Sequence, residues 1–154
     1  MLESGLSFLR ILDTNTLSNL QRGNSSIREH LEMFDRNNIA ITIITAEEEI
    51  KGRFKTIQNA NKISASGRLE FDKLTLAYKQ LRNTLEDLKS LNILEFSQDA
   101  SKIYKNLLQQ KIRIGTQDLR IAAITLSVDG VLVTSNRRDF EKIPNLKFED
   151  WTIN

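Results

Sequence analysis

At 154 residues, with a single proline, 40% apolar and 27% charged side chains, the chain has the makings of one ordinary folded domain, which excludes long linkers and intrinsic disorder. The absence of cysteine excludes disulfides, thiolate metal sites and cysteine nucleophiles, and fits a reducing compartment. The net charge of +2 is too small to mark a general polyanion binder by itself. The opening MLESGLSFLRIL carries an acid at position 3 and no apolar run of signal length, and no later stretch approaches the roughly 18 apolar residues of a membrane span. A cytoplasmic protein with no membrane contact is expected.

In chain order, the run Phe8 to Leu12 ahead of the turn-forming DTNT reads as a buried strand, followed by a helix from about Thr16. One of Asn24, Ser25 or Ser26 caps a second helix with Ile27, Leu31 and Phe34 inward, closed by Asn37 and Asn38. The β-branched run Ile39 to Ile44 predicts a second strand. Thr45 then caps a helix reaching about Ala60, with Glu48 completing a capping box and the acids at 47 to 49 facing the positive helix end.

After the loosely patterned NKISASG, the positions Phe71, Leu74, Tyr78, Leu81, Leu85 and Leu88 step by three or four. That predicts a long amphipathic helix whose apolar stripe packs in the core, a helical partner or dimer contact being the alternative use. Asn92 to Phe96 reads as a third strand, and a helix over about Gln98 to Gln110 presents Ile103, Leu107 and Leu108 inward. Gly115 and Thr116 open a helix whose block IAAITL suits packing on a sheet. Val131 to Val133 is a fourth strand behind the turn residues Asp129 and Gly130, a short helix lies in SNRRDF, and Leu146 to Phe148 is a candidate fifth strand.

Strands alternating with helices predict an α/β domain on a mainly parallel sheet of four or five strands, because each parallel pairing needs a crossover. Ligands of such sheets bind beyond the carboxyl ends of the strands. Asp13 ends the first strand, Glu48 lies just past the second, Asn136 and Asp139 follow the fourth, and Asp118 opens a helix that should point the same way. Carboxylates brought close together raise one another's pKa unless a cation compensates them. A hard divalent ion with oxygen ligands, Mg²⁺ or Mn²⁺, is the simplest compensation, and it can activate water and orient a phosphodiester.

The charge pattern agrees with a polyanionic substrate: residues 1–50 carry eight acids against four Lys and Arg, whereas residues 51–89 carry nine Lys and Arg against four acids. Elimination points the same way. The only histidine is His30, so RNA cleavage by a histidine pair is excluded, and no G-x-S-x-G elbow or Gly-rich phosphate loop occurs. Each acid also has an innocent use: Asp13 as a helix cap, Glu47 to Glu49 and Asp118 as first-turn acids, Asp139 as a turn acid. Trp151 reads as a packing anchor rather than a base-stacking platform.

Four segments resemble, in order, the motifs of PIN-domain ribonucleases of the VapC toxin type. ILDTNTLSNL resembles the opening strand with its acid at Asp13. ITIITAEEEIKG resembles the second motif, whose Thr and Gly brackets fall on Thr45 and Gly52 and select Glu48. IGTQDLRIAAITLS selects Asp118, and LVTSNRRDFEKIPNLKFEDW resembles the closing motif. Two departures stand out: Asn136 where that motif often has Asp, and Glu49 where an apolar residue is usual.

The resemblance implies one three-layer PIN-like domain over residues 1–154 and an endoribonuclease cutting structured RNA such as tRNA, dependent on Mg²⁺ or Mn²⁺. Asp13, Glu48 and Asp118 would hold the ion, and Asn136 and Asp139 would orient water or a second ion. Asn15, Thr134, Arg137, Arg138, Lys51, Arg53 and Lys55 become candidate RNA contacts, although ordinary solvated surface also accounts for the basic ones. A cognate antitoxin and a homodimer are implied as partners. One alternative is an inactivated PIN-like module that binds RNA or protein without cutting. Another, a phosphatase of the haloacid dehalogenase type, needs a second Asp in D-x-D-x-T where this chain has Asn15.

Overall fold

Five strands, all paired in parallel, make a sheet in the order β3-β2-β1-β4-β5: β1 Arg10–Leu12, β2 Ile39–Thr42, β3 Ile93–Leu94, β4 Val131–Val133 and β5 Lys147–Glu149. The structure is a computed structural model and describes residues 8–62, 67 and 70–153. The opening residues 1–7 and most of the patternless NKISASG therefore lie outside the described residues. The helices are α1 Thr14–Gln21, α2 Ser25–Glu32, α3 Ile43–Ala60, α4 Phe71–Lys89, α5 Gln98–Gln109, α6 Thr116–Ser127 and α7 Arg137–Phe140, with a 3₁₀ turn at Arg36–Asn38.

The expected sheet of four or five strands is thus a five-stranded parallel one. Side chains alternate across a strand, so Ile11 and Leu132 face one side and Leu12 and Val133 the other. All four are buried (0%, 0%, 1% and 0% exposed), so both faces are covered and the domain is layered helix, sheet, helix. α6 fills one face: Leu119 and the block from Ile121 to Ile124 join Ile11, Leu132 and Phe140 in one cluster. Burying each large aliphatic side chain there stabilises the fold by about 1.5–3 kcal/mol.

The turn into β4 has little room, since a Cβ on Gly130 would lie 2.7 Å from Ile11 Cδ1. Asp129 before it adopts the left-handed conformation (φ 51).

The chain divides into two compact units, Met1–Thr45 with Asn92–Asn154, and Ala46–Leu91. The first holds the whole sheet. In the second, Ile57, Ala60 and Ala77 form a small core with Leu74 and Leu81, and the Arg53 Nε–H donates to Thr84 Oγ1 at 2.9 Å. Here the expected core stripe of α4 splits in two. Leu74, Leu81 and Leu88 turn inward, whereas Phe71, Tyr78 and Leu85 are 71%, 53% and 46% exposed. Small Ala77 and Thr84 are buried in their place, so the inward positions Leu74, Ala77, Leu81, Thr84 and Leu88 follow the alternating three-four spacing of a narrow helix–helix seam. Leu108 likewise faces out, leaving Leu107 as the buried residue of that pair on α5.

Local boundaries shift elsewhere. β2 ends at Thr42 rather than Ile44, and its Oγ1 accepts from the Thr45 N–H at 3.2 Å. Thr42 is therefore the residue that caps α3; Thr45 lies inside the helix, and no acid stands in its first turn. The hydroxyl at the strand end competes successfully with the one three residues on, because it can cap without breaking the run of β-branched residues. Asp13 on α1 and Asn24 on α2 cap as the sequence suggests, and Ser97 caps α5. No helix among the described residues is long and apolar enough to cross a membrane.

Candidate active site

β1 lies at the centre of the sheet, and the chain leaves it first toward β2 and β3 and later reaches β4 and β5 on the opposite side. The order switches direction between β1 and β4, and parallel sheets usually take their ligands beyond the carboxyl ends of the strands at such a point. Asp13 directly follows the end of β1 there. The Asp13 N–H donates to Val133 C=O at 3.0 Å, and its Oδ1 accepts from the Thr16 N–H at 2.8 Å. Thr16 Oγ1 donates to the same Val133 carbonyl at 3.0 Å. Asp13 is only 4% exposed, so a nearly buried carboxylate is fixed at the end of the central strand. The innocent use as a helix cap is real, but it employs one oxygen of the two.

On β4 the neighbouring strand end is equally ordered. Thr134 is fully buried; its N–H donates to Glu149 C=O at 2.9 Å, and its Oγ1 accepts from the Asn136 N–H at 3.0 Å. That buried position fits a role in shaping the loop. Asn136 then uses Nδ2 to donate to Asp139 Oδ2 at 3.0 Å, with Lys142 Nζ 3.7 Å from Oδ1. The neutral amide and the following acid are thus hydrogen-bonded to each other. Asn15 is exposed beside Asp13.

Asp118 lies in the first turn of α6, half-buried, with Oδ2 beside the backbone of Gly115. Glu48 is half-buried on α3, three residues beyond Thr45, while Glu49 is nearly buried and Glu47 exposed. Among the described residues, no three His, Asp or Glu side chains are grouped as a ready cage for a metal ion. The donors at the strand ends are nonetheless all oxygens, the chemistry that suits a hard divalent cation.

Of the basic candidates, Arg137 and Arg138 are exposed on α7 directly after Asn136, Arg137 reaching Glu141 at 3.9 Å and lying 5.9 Å above the Phe148 ring. Lys51 and Lys55 are exposed on α3 in the second unit, where Arg53 is engaged with Thr84.

Sequence reasoning missed the buried cluster behind β5. Arg10, 5% exposed, donates through Nη2 to Glu149 Oε1 at 2.8 Å and lies 4.6 Å from the Phe34 ring centre. Trp151 Nε1 donates to Glu149 Oε2 at 2.9 Å, and its ring stacks with those of His30 and Phe34 at 5.7 and 5.3 Å. Burial pushes the Glu149 carboxyl up, but the bonds from Arg10 and Trp151, with the charges of Arg10 and His30, hold it below the usual carboxylate range. Trp151 is thus the packing anchor expected. An open groove of about 500 Å³ runs from this cluster to Arg137.

A sequence profile described as the PIN domain matches residues 10–146. The chain belongs to the PIN-domain family. Membership sets aside the phosphatase alternative and accounts for the parallel sheet with its acid at the end of the central strand. The PIN chain is 28% identical over 144 residues to Ribonuclease VapC1 of Haemophilus influenzae (strain R2866), covering 92% of this chain and 97% of that one. It is 28% identical over 127 residues to the tRNA(fMet)-specific endonuclease VapC of Salmonella typhimurium, covering 77% and 96%. Its fold is similar to the solved structure of VapBC-1 from nontypeable H. influenzae, with a TM-score of 0.71, 26% identity and 94% and 98% coverage.

Proposed function

We propose that this PIN domain is an endoribonuclease and the toxin of a two-protein pair, cutting structured RNA with the help of Mg²⁺ or Mn²⁺. The observation that carries it is the fixed, nearly buried Asp13 carboxylate at the end of β1, at the switch point of the sheet, with the Asn136–Asp139 pair following the end of the neighbouring β4. Full-length similarity to ribonucleases, one of them specific for tRNA(fMet), supports the substrate class, and likeness to VapBC complexes supports an antitoxin partner. A cytoplasmic setting and a homodimer accompany this reading.

Asp13 and Asp118 would hold the ion, with Glu48 as the third ligand that its sequence motif implies. When bound, such an ion polarises the phosphodiester and makes water a better nucleophile. The chain's own residues do the rest. Asn136 holds Asp139 in a fixed rotamer, from which the Asp139 carboxylate can accept a proton from water. Arg137 and Arg138, one step beyond, supply positive charge for the phosphates on either side of the scissile bond.

Asp118→Asn tests the reading. Purified variant and wild-type chains are incubated with tRNA(fMet) and Mn²⁺; the variant is expected to lose cleavage while its circular dichroism is unchanged, and undiminished cleavage overturns the assignment. RNA binding by the wild type without cleavage would mark an inactivated module, the reading that the neutral Asn136 favours.

A further inference from the structure

Three hydroxyls that the proposed reaction does not use meet where β2, α3 and the start of α1 come together. Thr42 ends β2, Thr45 lies in the first turn of α3, and Thr14 follows Asp13 as the first residue of α1. Thr42 and Thr45 are fully buried, both 0% exposed. The Thr45 N–H donates to Thr42 Oγ1 at 3.2 Å, so the hydroxyl hydrogen of Thr42 turns away from that amide and toward Thr45 Oγ1, 3.5 Å away. Thr14 Oγ1 donates to the same Thr45 oxygen at 3.1 Å. A hydroxyl oxygen has two lone pairs, and both of Thr45's are thereby addressed.

We infer that Thr45 is a positioning residue for the cation site, acting on Asp13 through Thr14. One Asp13 oxygen is tied to the Thr16 amide, so the direction of the other follows the tilt of the first turn of α1. That turn is clamped from one side by the Thr16 hydroxyl on Val133 C=O and from the other by the Thr14 hydroxyl on Thr45. Thr45 also stands one helical turn ahead of Glu48 on its own helix. Misplacing an ion ligand by a fraction of an ångström is costly, so a dry, saturated acceptor at this point sets the ligand geometry. The function is separable from helix capping, because the cap uses the Thr42 hydroxyl and the Thr45 amide, both of which survive replacement of the Thr45 hydroxyl.

The inference rests on the cation-dependent reading, and its test keeps the two apart. Mn²⁺ is titrated calorimetrically into the intact chain without RNA, for wild type, Thr45→Val, Thr45→Ser, Thr14→Val and the Thr14→Val/Thr45→Val double variant. Valine keeps the shape and removes the acceptor; Mn²⁺ affinity is expected to fall about tenfold, as for loss of groups that orient metal ligands, and serine is expected to restore it. Thr14→Val should match that loss and the double variant should be no worse than either, since one bond is cut from both ends. Wild-type Mn²⁺ affinity in a folded Thr45→Val, or additive losses in the double variant, overturns the inference. If Thr45→Val does not fold, Thr14→Val decides alone, and wild-type affinity there is equally fatal. A wild-type chain that binds no Mn²⁺ overturns the cation-dependent reading and this inference with it.

Discussion

Asp13 serves the fold and the proposed chemistry with different oxygens, and two substitutions separate the uses. Oδ1 caps α1 by accepting from the Thr16 N–H at 2.8 Å. Asp13→Asn keeps a carbonyl oxygen for that amide and removes the charge; Asp13→Ala removes both. Losing an N-cap side chain costs about 0.5–2 kcal/mol. For a chain of this size each kcal/mol lowers Tm by about 2–4 °C, so Asp13→Ala should melt about 1–8 °C below wild type. Asp13→Asn should stay near wild type, because Asn caps as well as Asp. Activity should divide differently. Groups that merely orient metal ligands are worth about 10–100-fold, so loss of a ligand charge should reduce Mn²⁺-dependent cleavage about 100-fold or more in both variants. Thermal melts and gel-based cleavage of tRNA(fMet) measure the two quantities. Wild-type cleavage by Asp13→Asn would refute the ligand role, and equal destabilisation of Asn and Ala would refute the cap.

Asn136→Asp replaces a neutral donor to Asp139 with a second carboxylate; the Mn²⁺ concentration for half-maximal cleavage should fall, and metal-free stability should fall as well, because like charges then face each other where the amide bond was. Unchanged metal dependence would show that position 136 does not address the ion. Glu149, held below the usual carboxylate range by Arg10 and Trp151, stabilises the folded state most above the ordinary carboxylate pKa, and that contribution is lost as pH falls through its lower folded value. Urea unfolding from pH 7 into the acid range should therefore show a shallower decline for Glu149→Gln than for wild type, and parallel curves would contradict the electrostatic account.

Much of the fold was legible because the central strands are buried on both sides and read as apolar or β-branched runs between turn residues, as at Val131 to Val133 behind Asp129 and Gly130. Boundaries were less so. Thr42 and Thr45 both offer a hydroxyl three residues ahead of a helical amide, and only packing decides between them. The α4 stripe misled for a related reason: spacing reports that a helix has an apolar side, not how much of that side its neighbour is wide enough to cover. At the site, Asp13 and Asp139 could be placed from strand ends. The Arg10–Glu149 pair could not, since it joins side chains 139 positions apart, and the local Asn136–Asp139 and Trp151–Glu149 bonds depend on side-chain rotamers that spacing does not fix.

The strand that carries Asp13 is the first of the sheet to be synthesised, yet one of its two neighbours is nearly the last. The hydroxyl of Thr16 waits for a carbonyl 117 positions downstream. On a ribosome emitting about 5–20 residues each second, the two remain apart for several seconds at the least. Until β4 has been made, a nascent chain therefore lacks the Val133 carbonyl that fixes Asp13 and Thr16 in place. Such non-local pairing also slows folding, since the entropy of closing the long loop is spent before the strand contacts reward it.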